Sequence, residues 1–181
     1  HPASSLQGTI QVPGDKSISH RALILAALAE GKSIIQNLLL AEDVLATMRI
    51  MQQLGVKMSH QPKELRSGDP LMIEGKGFHS LKKPENVLDC GNSGTTMRLL
   101  LGLLAAQNFV ATLTGDDSLN RRPMDRVIKP LSQAGAQFQI TEQNGKRLIT
   151  VKGNPALLPI HYNLPMASAQ VKSALLLCGL Y

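Results

Sequence analysis

GDKSISHRALILAALA, residues 14–29, is a glycine-led polar loop carrying Lys16, Ser17 and Arg21 that runs straight into an apolar helix. Two later stretches have the same design: GNSGTTMRLLLGLLAA at 91–106 and PMASAQVKSALLLCGL at 165–180. Each has small and hydroxyl residues, then one cation (Arg21, Arg98 or Lys172), then a helix core of Ala, Leu, Ile and Gly. The cations are spaced by 77 and 74 positions. Leu54-Gly55-Val56 answers to Ala134-Gly135-Ala136, and the apolar run ending at Gly75 answers to the one ending at Gly153. Self-similarity at this period marks a repeated supersecondary unit, expected here as strand, helix, strand, helix, strand, strand. The third unit stops inside its first helix, so the sequence reads as a piece of a longer protein.

Composition narrows the function. The 181 residues are 43% hydrophobic and 18% charged, values typical of a domain with its own core. No unbroken run of about eighteen apolar residues suggests a membrane span, and the start shows no basic segment followed by an apolar one, as a signal peptide would. Cytoplasmic residence is therefore expected. Cys90 and Cys178 lie far apart beside glycines, and read as reduced core thiols rather than a disulfide frame or a metal site. A net charge of +6 points to anionic partners. Nucleic acid is disfavoured, because only 3% of residues are aromatic and no long Lys/Arg run exists. The cations recur at loop-to-helix junctions, which suits small phosphates and carboxylates.

Taken in order, Leu6–Val12 reads as a strand closed by Pro13-Gly14. A helix capped by Ser17 or Ser19 is expected from about His20 to Glu30, buried all round, with Gly31 as its stop. Residues 32–40 form a strand, and Glu42–Leu54 a helix whose Val44, Leu45, Met48, Met51 and Leu54 share one face. Strands follow at Val56–Ser59 and Leu71–Glu74. The second unit has a strand at Phe109–Thr114, a helix at Met124–Ala134, and strands at Gln137–Glu142 and Leu148–Lys152 joined by Asn144-Gly145, a strong hairpin signal. The third supplies a strand near Leu158–Tyr162 and part of a helix.

Lys16, Ser17 and Arg21 are the leading candidates for chemistry. Arg can hold a phosphate or carboxylate bidentately, Lys adds a compact charge, and Ser a directed hydrogen bond. Arg21 follows Ser17 by four residues, about one helical turn, so both can face one ligand. In the second copy Gly91 and Gly94 allow close backbone approach, Asn92 and Thr95 donate, and Arg98 lies a turn further on. Arg121-Arg122-Pro123 adds a cationic point, while Asp116 and Asp117 read as turn acids in solvent and His20 as a lining residue. Gly31-Lys32-Ser33 imitates the end of a phosphate-binding P-loop, but Ala26 replaces the first glycine and the preceding segment is helical.

PGDKSISHRAL, DCGNSGTTMRLL, GDDSLNRRPMDR and PMASAQVKSALLL, in this order, closely resemble the 5-enolpyruvylshikimate-3-phosphate synthase family from Leu6 onward. The last motif is similar to the bacterial branch that includes glyphosate-tolerant members. The resemblance implies an α/β fold, an inside-out α/β barrel domain of repeated βαβαββ units with helices inside and sheets outside. Residues 1–181 would be an incomplete first domain of two units and part of a third, with a second domain outside this sequence. It implies addition of the 5-hydroxyl of shikimate 3-phosphate to the double bond of phosphoenolpyruvate, then loss of phosphate from the tetrahedral intermediate. It also implies no cofactor or metal, inhibition by glyphosate, and a monomer at full length.

Residue by residue, the resemblance gives Lys16 contact with both substrates and the catalytic role, and Ser17 and Arg21 the shikimate portion. Asn92, the Gly94 backbone and Arg122 fall to phosphoenolpyruvate, with Thr95 and Arg98 supporting. Ser168 and Gln170 match positions that grip shikimate 3-phosphate, and Gln170 extends to the second substrate. Ala169 departs from relatives that carry a second serine there, so only a backbone contact survives. Gly94→Ala is expected to weaken glyphosate more than phosphoenolpyruvate. The proton-transfer groups would come from the other domain. Two cousins share the repeat. One transfers enolpyruvate to UDP-N-acetylglucosamine and commonly has a reactive cysteine, absent from residues 115–125. The other, the RNA 3′-phosphate cyclases, needs a nucleotidylated histidine with no motif here. A non-catalytic anion-binding module remains the alternative of another class.

Overall fold

The computed structural model describes residues 5, 7–10 and 12–181. The strand expected at Leu6–Val12 lies partly outside the described residues, and those described within it are not in a strand. Helix α1 spans Lys16–Leu28, earlier at both ends than the sequence suggests. Asp15 caps it by accepting from Ile18 N, so Lys16, Ser17, Ile18 and Ser19 form the first turn instead of a loop. Ser19 Oγ turns back to the Asp15 carbonyl and accepts from Leu39 N, which ties this turn to the next crossing of the chain. Gly31 lies inside strand β1, Glu30–Ile35, and does not end the helix; the strand in turn is shorter than residues 32–40.

The first unit continues through α2 (Glu42–Gln53), β2 (Lys57–Met58) and β3 (Leu71–Lys76). The second comprises β4 (Leu88–Asp89), α3 (Gly94–Ala105), β5 (Val110–Thr114), a single-turn α4 (Asp117–Asn120), α5 (Asp125–Gln133), β6 (Gln137–Gln143) and β7 (Lys146–Lys152). Helix α6 spans Ala169–Cys178. The strand expected near Leu158–Tyr162 does not form. Its backbone pairs with no strand, and Leu158 and Ile160 are exposed.

The repeat is visible in the sheets. One has the order β1-β3-β2, the other β4-β5-β7-β6, so β5-β7-β6 reproduces the first sheet strand for strand. All pairs are antiparallel except β4 with β5. The helix ends repeat too. Val56 N donates to Met51 O and Ala136 N to Leu131 O, each at 3.1 Å, around Gly55 and Gly135 at φ +91° and +108°. That is the glycine-dependent Schellman end of a helix, made twice. Asn144 and Gly145 also have positive φ, as a tight turn between β6 and β7 requires.

The core is helical and lies inside the sheets. Helix α3 is buried along nearly its whole length, and α1 buries Leu23, Ile24, Ala27 and Leu28. Burial of α1 is incomplete, because Ile18 and Leu25 are 68% and 48% exposed. Strand β3 alternates as an outer layer does, with Leu71 and Ile73 inward and Met72 outward. Helix α2 packs Val44, Met48 and Met51 inward as its spacing predicts. Among the described residues, no helix is long and apolar enough to cross a membrane.

Candidate functional site

The helix starts gather the candidate residues. Arg21 donates from Nη1 to the Ser17 carbonyl at 2.8 Å and from Nη2 to Ser173 Oγ on α6 at 2.7 Å. The first of these keeps the guanidinium on the first turn of α1, and the second joins α1 to α6. Lys16 is 56% exposed and pairs with Asp43 Oδ2 at 3.0 Å, at the start of α2. Burial pushes the Asp43 carboxyl up, but the Lys16 hydrogen bond and charge, with His20 and the Val44 amide, hold it below the ordinary carboxylate value.

Helix α3 starts at Gly94 because Ser93 caps it, accepting from Thr96 N at 3.1 Å. Arg98 donates from Nη1 to Gln170 Oε1 at 2.8 Å and to the Gly94 carbonyl at 3.2 Å, and Gln170 Nε2 donates to Thr95 Oγ1 at 2.8 Å. Burial, then the charges of Arg122 and Arg126, lower the Arg98 pKa. Arg122 follows α4, where Nη2 reaches Ser118 Oγ at 3.2 Å. A Cβ on Gly94 would stand 2.7 Å from Arg98 Nη1 and 3.1 Å from Arg122 Nη1, so two guanidiniums flank this glycine. Asn92 is exposed in the turn before it. Ser168 caps α6, accepting from Val171 N at 3.3 Å, and Ala169 is exposed in the first turn.

Arg21, Arg98, Arg122, Thr95, Gln170 and Ser168 thus belong to one connected set, and Lys16 and Ser17 stand at the same end of α1 as Arg21. Among the described residues, no carboxylate pairs with Arg21, Arg98 or Arg122. Helix N-termini and guanidiniums without a carboxylate partner are the features that favour small anions. Lys172 does not join that set: the side chain lines a cavity of about 650 Å³ with Leu131, Leu157, Ile160, Leu164 and Leu175. It sits one residue short of the position that Ser173 occupies toward Arg21, so the repeat of cations ends after two copies.

Sequence reasoning missed four supports. Asp43 holds Lys16, Ser173 receives Arg21, Thr47 is a fully buried hydroxyl on the apolar face of α2, and Arg147 donates to the carbonyls of Asn120 and Arg122 at 3.3 and 3.2 Å. A threonine amid Val44, Met48 and Met51 is the one signal that sequence offered. Both thiols are free and buried as expected.

Buried helices wrapped by repeated sheets, with basic side chains at the helix starts, define an inside-out α/β domain. The chain belongs to the EPSP synthase (3-phosphoshikimate 1-carboxyvinyltransferase) family, whose model matches residues 1–181. It is 52% identical to 3-phosphoshikimate 1-carboxyvinyltransferase of Legionella pneumophila strain Philadelphia 1 over 99% of this chain and 40% of that protein. With the enzyme of that name from Streptococcus equi subsp. zooepidemicus it shares 55% over 98% of this chain and 40% of that protein. An EPSP synthase structure from Acinetobacter baumannii superposes with a TM-score of 0.87 at 47% identity, covering 96% of this chain and 38% of that one. The chain therefore spans about two-fifths of the length of these relatives.

Proposed function

We propose that residues 1–181 form the first, incomplete domain of an enzyme that moves the enolpyruvyl group of phosphoenolpyruvate to the 5-hydroxyl of shikimate 3-phosphate and releases phosphate. The observation that carries this reading is the linked cationic rim, in which Arg21 reaches Ser173 and Arg98 reaches Gln170, bringing three helix starts to one face. Two multiply charged substrates need such a surface. On this reading, Ser17, Arg21, Ser168, the Ala169 backbone and Gln170 hold shikimate 3-phosphate. Asn92, Gly94 and Arg122 hold phosphoenolpyruvate, and Thr95 and Arg98 brace that loop. Lys16, more than half exposed while paired with Asp43, meets both substrates and stabilises charge that builds in the addition step.

Asp43 is committed to Lys16, so the groups that move protons come from the second domain, which would close over this rim. Glyphosate would compete at the phosphoenolpyruvate side. The full-length protein is a cytoplasmic monomer on the same reading. The experiment is phosphate release from phosphoenolpyruvate by the longest natural chain carrying these residues, with shikimate 3-phosphate or UDP-N-acetylglucosamine as acceptor and Lys16→Met as control. Release with the first acceptor only, lost in the variant, is expected. Release with the sugar nucleotide moves the protein to the cousin activity, and release with neither leaves an anion-binding module.

A further inference from the structure

Between the two basic helix starts runs a line of buried polar side chains that the proposed catalysis does not use. His20 on α1 is fully buried, and its Nδ1 lies 2.7 Å from Thr47 Oγ1 on α2. Thr47 Oγ1 lies 2.7 Å from Thr96 Oγ1 on α3, and that oxygen lies 2.7 Å from Ser93 Oγ, the cap of α3. Thr47 and Thr96 are fully buried and Ser93 is 3% exposed. At the other end His20 Nε2 has no hydrogen-bond partner, and stands 3.9 Å from Asp43 Oδ2, the carboxylate oxygen that holds Lys16.

The protons can be followed along this line, because each hydroxyl has one to give. Ser93 Oγ already accepts from Thr96 N. Ser93 Oγ accepts from Thr96 Oγ1 as well, which spends the Thr96 proton. Thr47 therefore donates to Thr96, and His20 Nδ1–H donates to Thr47. Neutral His20 carries its proton on Nδ1. Thr96 Oγ1 also lies 3.1 Å from the Asp43 carbonyl, which joins the line to the residue that holds Lys16.

We propose that His20, Thr47 and Thr96 are positioning residues that tie Lys16, through Asp43, to the cap of α3. The line holds the two anion-binding helix starts at one separation. This rests on the reading of those starts as the two-substrate site. It also gives a use to four polar groups that would otherwise weaken an apolar core. Each lies on a helix already fixed by packing, so the line transmits placement and needs no motion of its own.

The test uses the longest natural chain carrying these residues. Thr47→Val keeps the shape and removes the hydroxyl; Thr47→Ser keeps the hydroxyl. Both are assayed where circular dichroism shows them fully folded. Thr47→Val is expected to lower kcat/KM at least tenfold, mainly through the KM values of both anions, while Thr47→Ser stays within threefold of the parent. Equal activity of the two variants, equal loss in both, or a change in melting temperature alone overturns the proposal. Nitrogen NMR of the unliganded parent at pH 7 is expected to place the His20 proton on Nδ1, and a neutral ring with its proton on Nε2 also overturns it. That spectrum decides even if Thr47→Val does not fold. A parent that releases no phosphate with either acceptor refutes the functional reading instead, and leaves the spectrum as the judge of the line.

Discussion

Arg98 on α3 and Gln170 on α6 meet at 2.8 Å, so a single guanidinium fastens one buried helix to another at the rim. The same side chain reaches the Pro123 carbonyl at 3.2 Å, next to Arg122. Replacing it with alanine strands Gln170 and frees the Arg122 loop. Arg98→Ala should cost about 2 kcal/mol of stability, as expected for charge-assisted hydrogen bonds at a half-buried site. Urea unfolding checks the loss. Isothermal titration with phosphoenolpyruvate should show weaker binding than a surface substitution such as Lys63→Ala.

Gly94 lies against two guanidiniums, and a methyl there must displace the Arg98 end, 2.7 Å away, and press on the Arg122 end, 3.1 Å away. Their ends are flexible, so Gly94→Ala should fold normally. It should raise the KM for phosphoenolpyruvate several-fold and the inhibition constant of glyphosate by more. Steady-state inhibition measures both, and equal rises would show that the methyl acts only by displacing Arg98 and Arg122.

His20 contributes a pH dependence. Burial, opposed by the Asp43 charge, keeps its pKa below the ordinary histidine value. The unfolded chain binds this proton more readily than the folded one. Stability therefore falls as pH drops below about 6.5, until the folded pKa is reached. Asp43 has the carboxylate pattern: its depressed pKa adds stability above about pH 4 that is lost at lower pH. His20→Gln should flatten the decline just below pH 6.5 and leave the acid limb. Urea midpoints across pH 4–8 separate the two.

Both cysteines should resist modification in the folded protein. Burial pushes Cys178 up to about 11 and Cys90 higher still, so neither is a thiolate at pH 8. Ellman's reagent should react with both only after unfolding. Rapid reaction of either thiol in the folded protein would contradict this packing.

Much of this was legible along the chain because it depends on local chemistry. Asn144-Gly145 named its hairpin, and Gly55 and Gly135 marked two helix ends at matching places in the repeat. The first turn of α1 was not legible, since Lys16-Ser17-Ile18-Ser19 is a poor helix start until Asp15 is seen capping it. Residues 158–162 alternate like a strand, yet an alternating segment needs a neighbour to pair with and finds none among the described residues. Arg21 and Arg98 were found by repetition, whereas Asp43, Thr47 and Ser173 act from other elements, 23 to 152 positions from their partners. Lys172 misled for a related reason: one residue of helical offset turned it to a different face.

The two sheets take their strands from separate stretches, residues 30–76 and residues 88–152. No strand is lent between them among the described residues. A ribosome delivering this chain at about 5–20 residues per second would therefore release the whole first sheet before the second began to emerge. The first layer can close while its sibling is still being made, which keeps two sets of strands with the same pairing order from exchanging partners during synthesis.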